Sequence, residues 1–171
     1  MKVVLQIVDE ASVKVDNKII GQIGKGYLLL VGIFQGDTDN NVIKMAEKIS
    51  KLRIFEDENG KTNLSLATVN GSILSVSQFT LCADTSQGNR PSFVNSAKRE
   101  EAIRLYELFN LELRKYGFEV QTGEFGADMK VSLINDGPFT LTLENWTLKL
   151  INCWILLIIW YTYYKYLDEK R

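Results

Sequence analysis

The chain has 171 residues, with 20 Lys and Arg against 21 Asp and Glu, and is 46% hydrophobic and 24% charged. This fits one ordinary globular domain, and a net charge of −1 excludes capture of a polyanion by bulk charge, so a nucleic acid would have to be held by local groups or by shape. Histidine is absent, which removes Ser-His-Asp and Cys-His catalysis and the commonest zinc ligand.

The opening MKVVLQIVDE has charge after a short apolar run and no cleavage-site pattern, and reads as a first strand rather than a signal peptide. ASVKVD alternates, DNK offers a turn, and IIGQI answers it, which is a hairpin signal. GYLLLVGIF is a continuous apolar run, as expected of a strand buried on both faces. Between these runs GQIGKG, residues 21–26, lacks the Gly-Lys-Ser/Thr of a phosphate loop and reads as a tight turn.

The period then changes. Val42, Ile43, Met45, Ala46, Ile49 and Leu52 follow helical spacing, with Asp37, Thr38 or Asp39 available as cap. Strands return in RIFEDENGKTNLSLATVNGSILSVSQFTL, with turns at DENG and VNGS. EDENG lacks the alternating acids of a calcium loop and reads as a solvated turn. TSQGNRPSF is a polar loop. SAKREEAIRLYELFNLELRKYG is a second amphipathic helix, with Ile103, Leu105, Tyr106, Phe109, Leu113 and Tyr116 as most of its buried stripe and Gly117 as its stop. FEVQTGEFGADMKVSLINDGPFTLTLEN closes with strands, and at NDGPFT the local signals favour a hairpin turn. Strands grouped with two helices imply one compact α+β domain, mainly of antiparallel sheet, over residues 1–145.

Residues 146–171 differ. The run 151–164 is apolar but for Asn152 and Thr162, shorter than the roughly 20 residues of a bilayer span. Three readings fit: a segment packed on the body or a partner, a weak membrane anchor, or an extension without a selected role. The membrane reading ranks last because the run is short. Cys82 and Cys153 form no CxxC pair and read as structural thiols in a reducing compartment.

Two stretches are left for chemistry. SVSQFTLCAD sets Ser77, Gln78, Phe79 and Thr80 where a strand meets a loop. NDGPFT holds Pro138, one of 2 prolines; in strand-rich surroundings proline is confined to edges, turns and bulges. A cis Gly-Pro step there would present bare backbone to a ligand.

SQFTL together with NDGPFT resembles the D-aminoacyl-tRNA deacylases, and the likeness extends over residues 1–144 through ASVKVD, LRIFEDENGKTNLSL, VSQFTLCADTSQGNRPSF and FGADMKVSLINDGPFT. The resemblance implies a cytoplasmic homodimer with active sites at the subunit interface. It would hydrolyse the ester of D-aminoacyl-tRNA or mischarged glycyl-tRNA, without metal or cofactor. It implies that Ser77, Gln78, Phe79 and Thr80 form the catalytic segment, Thr80 matching a threonine proposed as nucleophile. It implies that Gly137 and Pro138 are a Gly-cisPro motif inserted into the other subunit's pocket to reject L-amino acids. With no base to activate it, Thr80 fits a positioning role better, and backbone N–H groups near Gln78 and Phe79 are the expected oxyanion donors. Arg90, Lys98 and Arg99 are candidate contacts for tRNA phosphates, with a solvated helix start the alternative for Lys98 and Arg99. The family opening QRV carries an arginine that braces the Gly-Pro loop; here Ile7 stands in that place. A non-catalytic RNA-binding relative, and a structural protein attached to a partner or membrane through its tail, are the rival readings.

Overall fold

The computed structural model describes residues 1–144. The apolar tail from residue 146, the domain boundary at 145 and Cys153 lie outside the described residues.

Strands β1 (Lys2–Val15) and β2 (Lys18–Ile23) are joined by Asp16 and Asn17, with φ of 48° and 63°. Two consecutive left-handed residues make the primed turn whose twist suits an antiparallel pair, and Asp and Asn tolerate that conformation. Strand β3 (Gly26–Gly32) continues the return: Ala11 lies opposite Ile23 and Val8 opposite Gly26, so the register is unchanged. GQIGKG is therefore a bend within a returning strand, not the tight turn expected. A Cβ on Gly26 would sit 1.8 Å from the Ser72 carbonyl oxygen, so this glycine serves the close approach of a neighbouring strand rather than a chain reversal.

As expected, β3 is buried on both faces. Tyr27, Leu29 and Val31 join the core beneath the helices, and Leu28 joins a second cluster with Val8, Val13, Leu74 and Val76. Helix α1 (Asp39–Ser50) starts from Thr38, whose hydroxyl accepts from Asn41 N–H while the Asn41 side chain accepts from Thr38 N–H. Val42, Met45, Ala46 and Ile49 are buried, but Ile43 is exposed, because one residue past Val42 is about 100° around the helix. Helix α2 (Arg99–Lys115) is followed by Gly117 at φ 88°. Ala102, Leu105, Tyr106, Phe109 and Leu113 are buried. Ile103 is only half-buried, and Tyr116, past the helix end, is exposed, so these two leave the expected stripe.

Strands β4 (Arg53–Glu56) and β5 (Thr62–Ser65) form a separate antiparallel pair. Asp57 accepts from Asn59 N–H, Lys61 N–H and Asn63 Nδ2 in their turn. These backbone donors hold its carboxyl below the usual value.

Strand β6 (Ser72–Ser77) runs parallel to β3, and β7 (Val120–Thr122) parallel to β6. The sheets are mainly antiparallel, as expected; the two parallel pairs arise because the chain crosses over through α1 and α2, and each crossover returns a parallel strand. The sheet order is β2-β1-β3-β6-β7, with β8 (Lys130–Glu144) also on β1.

No hairpin forms at NDGPFT. Both flanking runs pair with β1 in one direction, Val8 opposite Asn135 and Gln6 opposite Thr140, so residues 136–139 bulge out opposite Ile7.

Candidate active site

Strand β6 ends at Ser77, and the strand expected to run on through SQFTL stops there. Gln78 N–H donates to Val31 O at 2.8 Å, the last backbone link to β3, and the chain tightens into a single 3-10 turn, Phe79–Cys82. This overturns one expectation: the Gln78 N–H is occupied and is not an oxyanion donor. The Phe79 N–H has no acceptor among the described residues, as expected at the start of a helical turn.

Ser77, Gln78 and Phe79 line a cavity of about 520 Å³ whose opposite wall is Arg99 and Tyr106 of α2 with Phe125. That volume suits a small organic ligand. Among the described residues Arg99 is the one charged residue that lines the cavity, and no carboxylate of the described residues lines it. Its guanidinium lies 5.9 Å from the centre of the Phe125 ring, and it forms no ion pair among the described residues. Phe125 in turn tilts against Tyr106 at 5.9 Å. A Cβ on Gly126 would come within 2.9 Å of the Arg99 guanidinium, so this glycine leaves room for it.

Phe79 is exposed at the rim and meets Phe93 edge to face, centroids 5.0 Å apart. Thr80 is not a lining residue; its hydroxyl oxygen accepts from Gln78 Nε2 at 2.5 Å. A hydroxyl tied to a neutral amide gains no nucleophilic character from it. Cys82 is no better placed: it is buried, its thiol donates to Ile33 O at 3.3 Å, and burial pushes its pKa up.

The other sequence candidates separate. Of the three basic residues only Arg99 lines the cavity; Lys98 is the exposed N-cap of α2, and Arg90 lies in an exposed loop. Gly137 and Pro138 do not line it either. Their peptide bond is cis, Gly137 has φ 115°, and both are exposed at the β8 bulge. Ile7, where the resemblance led to an arginine, is buried in the core. The hydrogen bonds that cross the bulge come from Asn135: its Oδ1 accepts from Phe139 N–H at 2.9 Å, and its Nδ2 donates to Thr140 Oγ1 at 3.0 Å. Gln6 Nε2 donates to the same hydroxyl at 3.3 Å.

The sequence reading missed Asn135, Tyr106 and Phe125 as site residues. Asn135 stands inside NDGPFT, where a side chain able to bond backbone nearby is itself a signal. Tyr106 was hidden in an apolar stripe.

The model of the D-Tyr-tRNA(Tyr) deacylase family matches residues 4–144. The chain belongs to this family. A D-aminoacyl-tRNA deacylase of Lactobacillus acidophilus is 62% identical over 144 residues, 84% of this chain and 99% of that protein. One from Bacillus cytotoxicus is 57% identical over 145 residues, 85% and 99% of the two chains. A solved structure titled c-Myc DNA Unwinding Element Binding Protein superposes with a TM-score of 0.79 at 42% identity, covering 84% of this chain and 98% of that one. A probable eukaryotic D-amino acid tRNA deacylase superposes at 0.73 with 18% identity, covering 83% and 97%, which speaks for the fold. The α+β fold is thus that of deacylase structures, and the chain is a hydrolase of tRNA editing that acts on aminoacyl-tRNA.

Proposed function

We propose that the cavity between Ser77–Phe79 and α2 holds the aminoacyl ester at the 3′ end of tRNA, and that a second copy of the chain supplies Gly137–Pro138 as the filter for chirality. The observation that carries this reading is the pairing of a cavity on Ser77, Gln78 and Phe79, lined by no carboxylate of the described residues, with a Gly-Pro bulge exposed outside it.

An aminoacyl ester is already activated, and the neighbouring ribose hydroxyl can assist. Water oxygen bonds to the ester carbonyl carbon, the carbon–oxygen bond to ribose breaks, and the ribose oxygen leaves with a proton. The protein holds the ester and meets the developing oxyanion with the Phe79 N–H. Thr80 positions the Gln78 amide and does not attack, so Thr80→Ala keeps most of the single-turnover rate. Arg99, lining the cavity without a carboxylate partner, takes a phosphate near the tRNA end.

A site that must reject every L residue acts by exclusion at the substrate's α-carbon. Backbone, with no side chain at Gly137, blocks the side an L side chain would occupy and admits D residues and glycine, so mischarged glycyl-tRNA is a substrate too. Each 1.4 kcal/mol of clash is worth about tenfold. The reaction belongs in the cytoplasm, where charged tRNA is used.

Mixed dimers test the division of labour. An Ala at 137 is strained at φ 115° and displaces the bulge, so Gly137→Ala chains alone are expected to cleave both D- and L-Tyr-tRNA, and Gln78→Ala chains alone neither. Mixed, the Gln78→Ala chain lends its intact bulge to the other's pocket, and L cleavage per active pocket falls. An unchanged L:D ratio on mixing contradicts a filter acting across subunits.

A further inference from the structure

The wall of the cavity opposite Phe79 has a polar anchor behind it. Tyr106 is 4% exposed, and its hydroxyl donates to Ser75 O at 2.8 Å. Ser75 lies on β6, two residues before Ser77, and its carbonyl also accepts from Gly123 N–H at 3.0 Å. One carbonyl thus gathers three parts of the cavity: the strand that delivers Ser77 and Gln78, the helix that carries Tyr106, and the segment that leads to Phe125. The phenol is buried, and burial pushes its pKa up. It therefore stays protonated, and a donor, at neutral pH.

Around this point two further polar atoms are buried without a hydrogen-bond partner among the described residues, Ser75 Oγ and Asn110 Oδ1, with Ser75 fully buried and Asn110 3% exposed. Burying polar groups here costs stability that an apolar core would spare. Polar groups kept at a cost, converging behind a reaction pocket, are expected where geometry matters more than stability.

We propose that Tyr106 is a positioning residue for deacylation: its ring is the cavity wall, and its hydroxyl, by holding the Ser75 carbonyl, fixes the distance between α2 and the Ser77–Gln78–Phe79 segment. The role is distinct from filling the core, because the same ring without its hydroxyl would fill the core equally well. The inference rests on placing the ester at Ser77–Phe79, and the experiment separates the two.

Single-turnover cleavage of D-Tyr-tRNA is measured over a range of enzyme concentrations for the full chain and for Tyr106→Phe and Gln78→Ala. In Tyr106→Phe, Ser75 O keeps the Gly123 N–H, so the fold is retained. Its rate constant at saturating enzyme falls about tenfold, while the half-saturating concentration moves less than twofold, because the tRNA is still held but the ester is misplaced. A Tyr106→Phe rate within twofold of the parent overturns the proposal, as does a loss seen only in half-saturation. Should Gln78→Ala also keep the parent rate, the placement of the ester fails, and the role of Tyr106 with it. A loss in Gln78→Ala beside an unchanged Tyr106→Phe fails the positioning role alone.

Discussion

Asn135 governs the bulge that the proposed filter uses. Its side chain accepts from Phe139 N–H and donates to Thr140, so one residue spans the Gly137–Pro138 step from outside. Each such bond is worth about 0.5–1.5 kcal/mol. Asn135→Ala is therefore expected to loosen the bulge with little effect on global stability, because the site is at an edge and exposed. Discrimination between D- and L-Tyr-tRNA should fall about tenfold, the equivalent of about 1.4 kcal/mol, while cleavage of D-Tyr-tRNA changes little. Equal discrimination in variant and parent would show that the bulge is held by other contacts. At this scale the sequence was legible where a residue type is rare or chemically unmistakable. Gly137, Pro138 and the Ser77–Thr80 run stood out against a chain with no histidine. The occupied Gln78 N–H could not be read, because its acceptor, Val31 O, is 47 residues away in the chain and is brought near only by the parallel pairing of β3 and β6. Ile7, in the place of the family's bracing arginine, is a core position, and Asn135, four residues from its backbone partner, was missed as a brace.

At the scale of elements, α1 and α2 are tied at their exposed starts. Arg104 donates to Asp39 at 2.6 Å and to Glu101 at 2.8 Å. Its hydrogen bonds hold both carboxyls below their usual values. A carboxyl whose pKa is depressed by folding contributes stability above its unfolded value and loses it as pH falls through the folded value. All three groups are exposed, so the effect is small and screened by salt. Arg104→Met should melt slightly below the parent at pH 7, and the difference should shrink as the pH falls through and below the ordinary carboxylate range. A gap that persists in acid would mean that Arg104 acts through packing. Helices were the most legible elements because periodicity and the Thr38 and Gly117 signals agree. Strand partners were not, since a run such as GYLLLVGIF is equally apolar whether its neighbour is parallel or antiparallel. Local turn chemistry misled twice. GQIGKG and NDGPFT both have turn residues, yet one is a bend beside Ser72 and the other a bulge beside Ile7.

At the scale of the molecule, α2 has a structural and a functional face in one stripe. Leu105, Phe109 and Leu113 seal the core, while Ala102, Tyr106 and Arg99 line the cavity. Gly137 and Pro138 are exposed and are not among the residues that line the cavity; under the proposed function a second copy supplies them. Among the described residues no helix is long and apolar enough to cross a membrane. The fold class was legible from strands grouped with two helices, and the family from the collinear motifs. The cavity was not, because its walls come from segments near residues 31, 78, 99 and 125, which no local pattern connects. Hydrolysis of D-Tyr-tRNA, L-Tyr-tRNA and Gly-tRNA, side by side under single-turnover conditions, decides whether the enzyme filters by chirality. The D and glycyl esters should be cleaved rapidly and L-Tyr-tRNA left intact; equal cleavage of the D and L esters would rule the filter out.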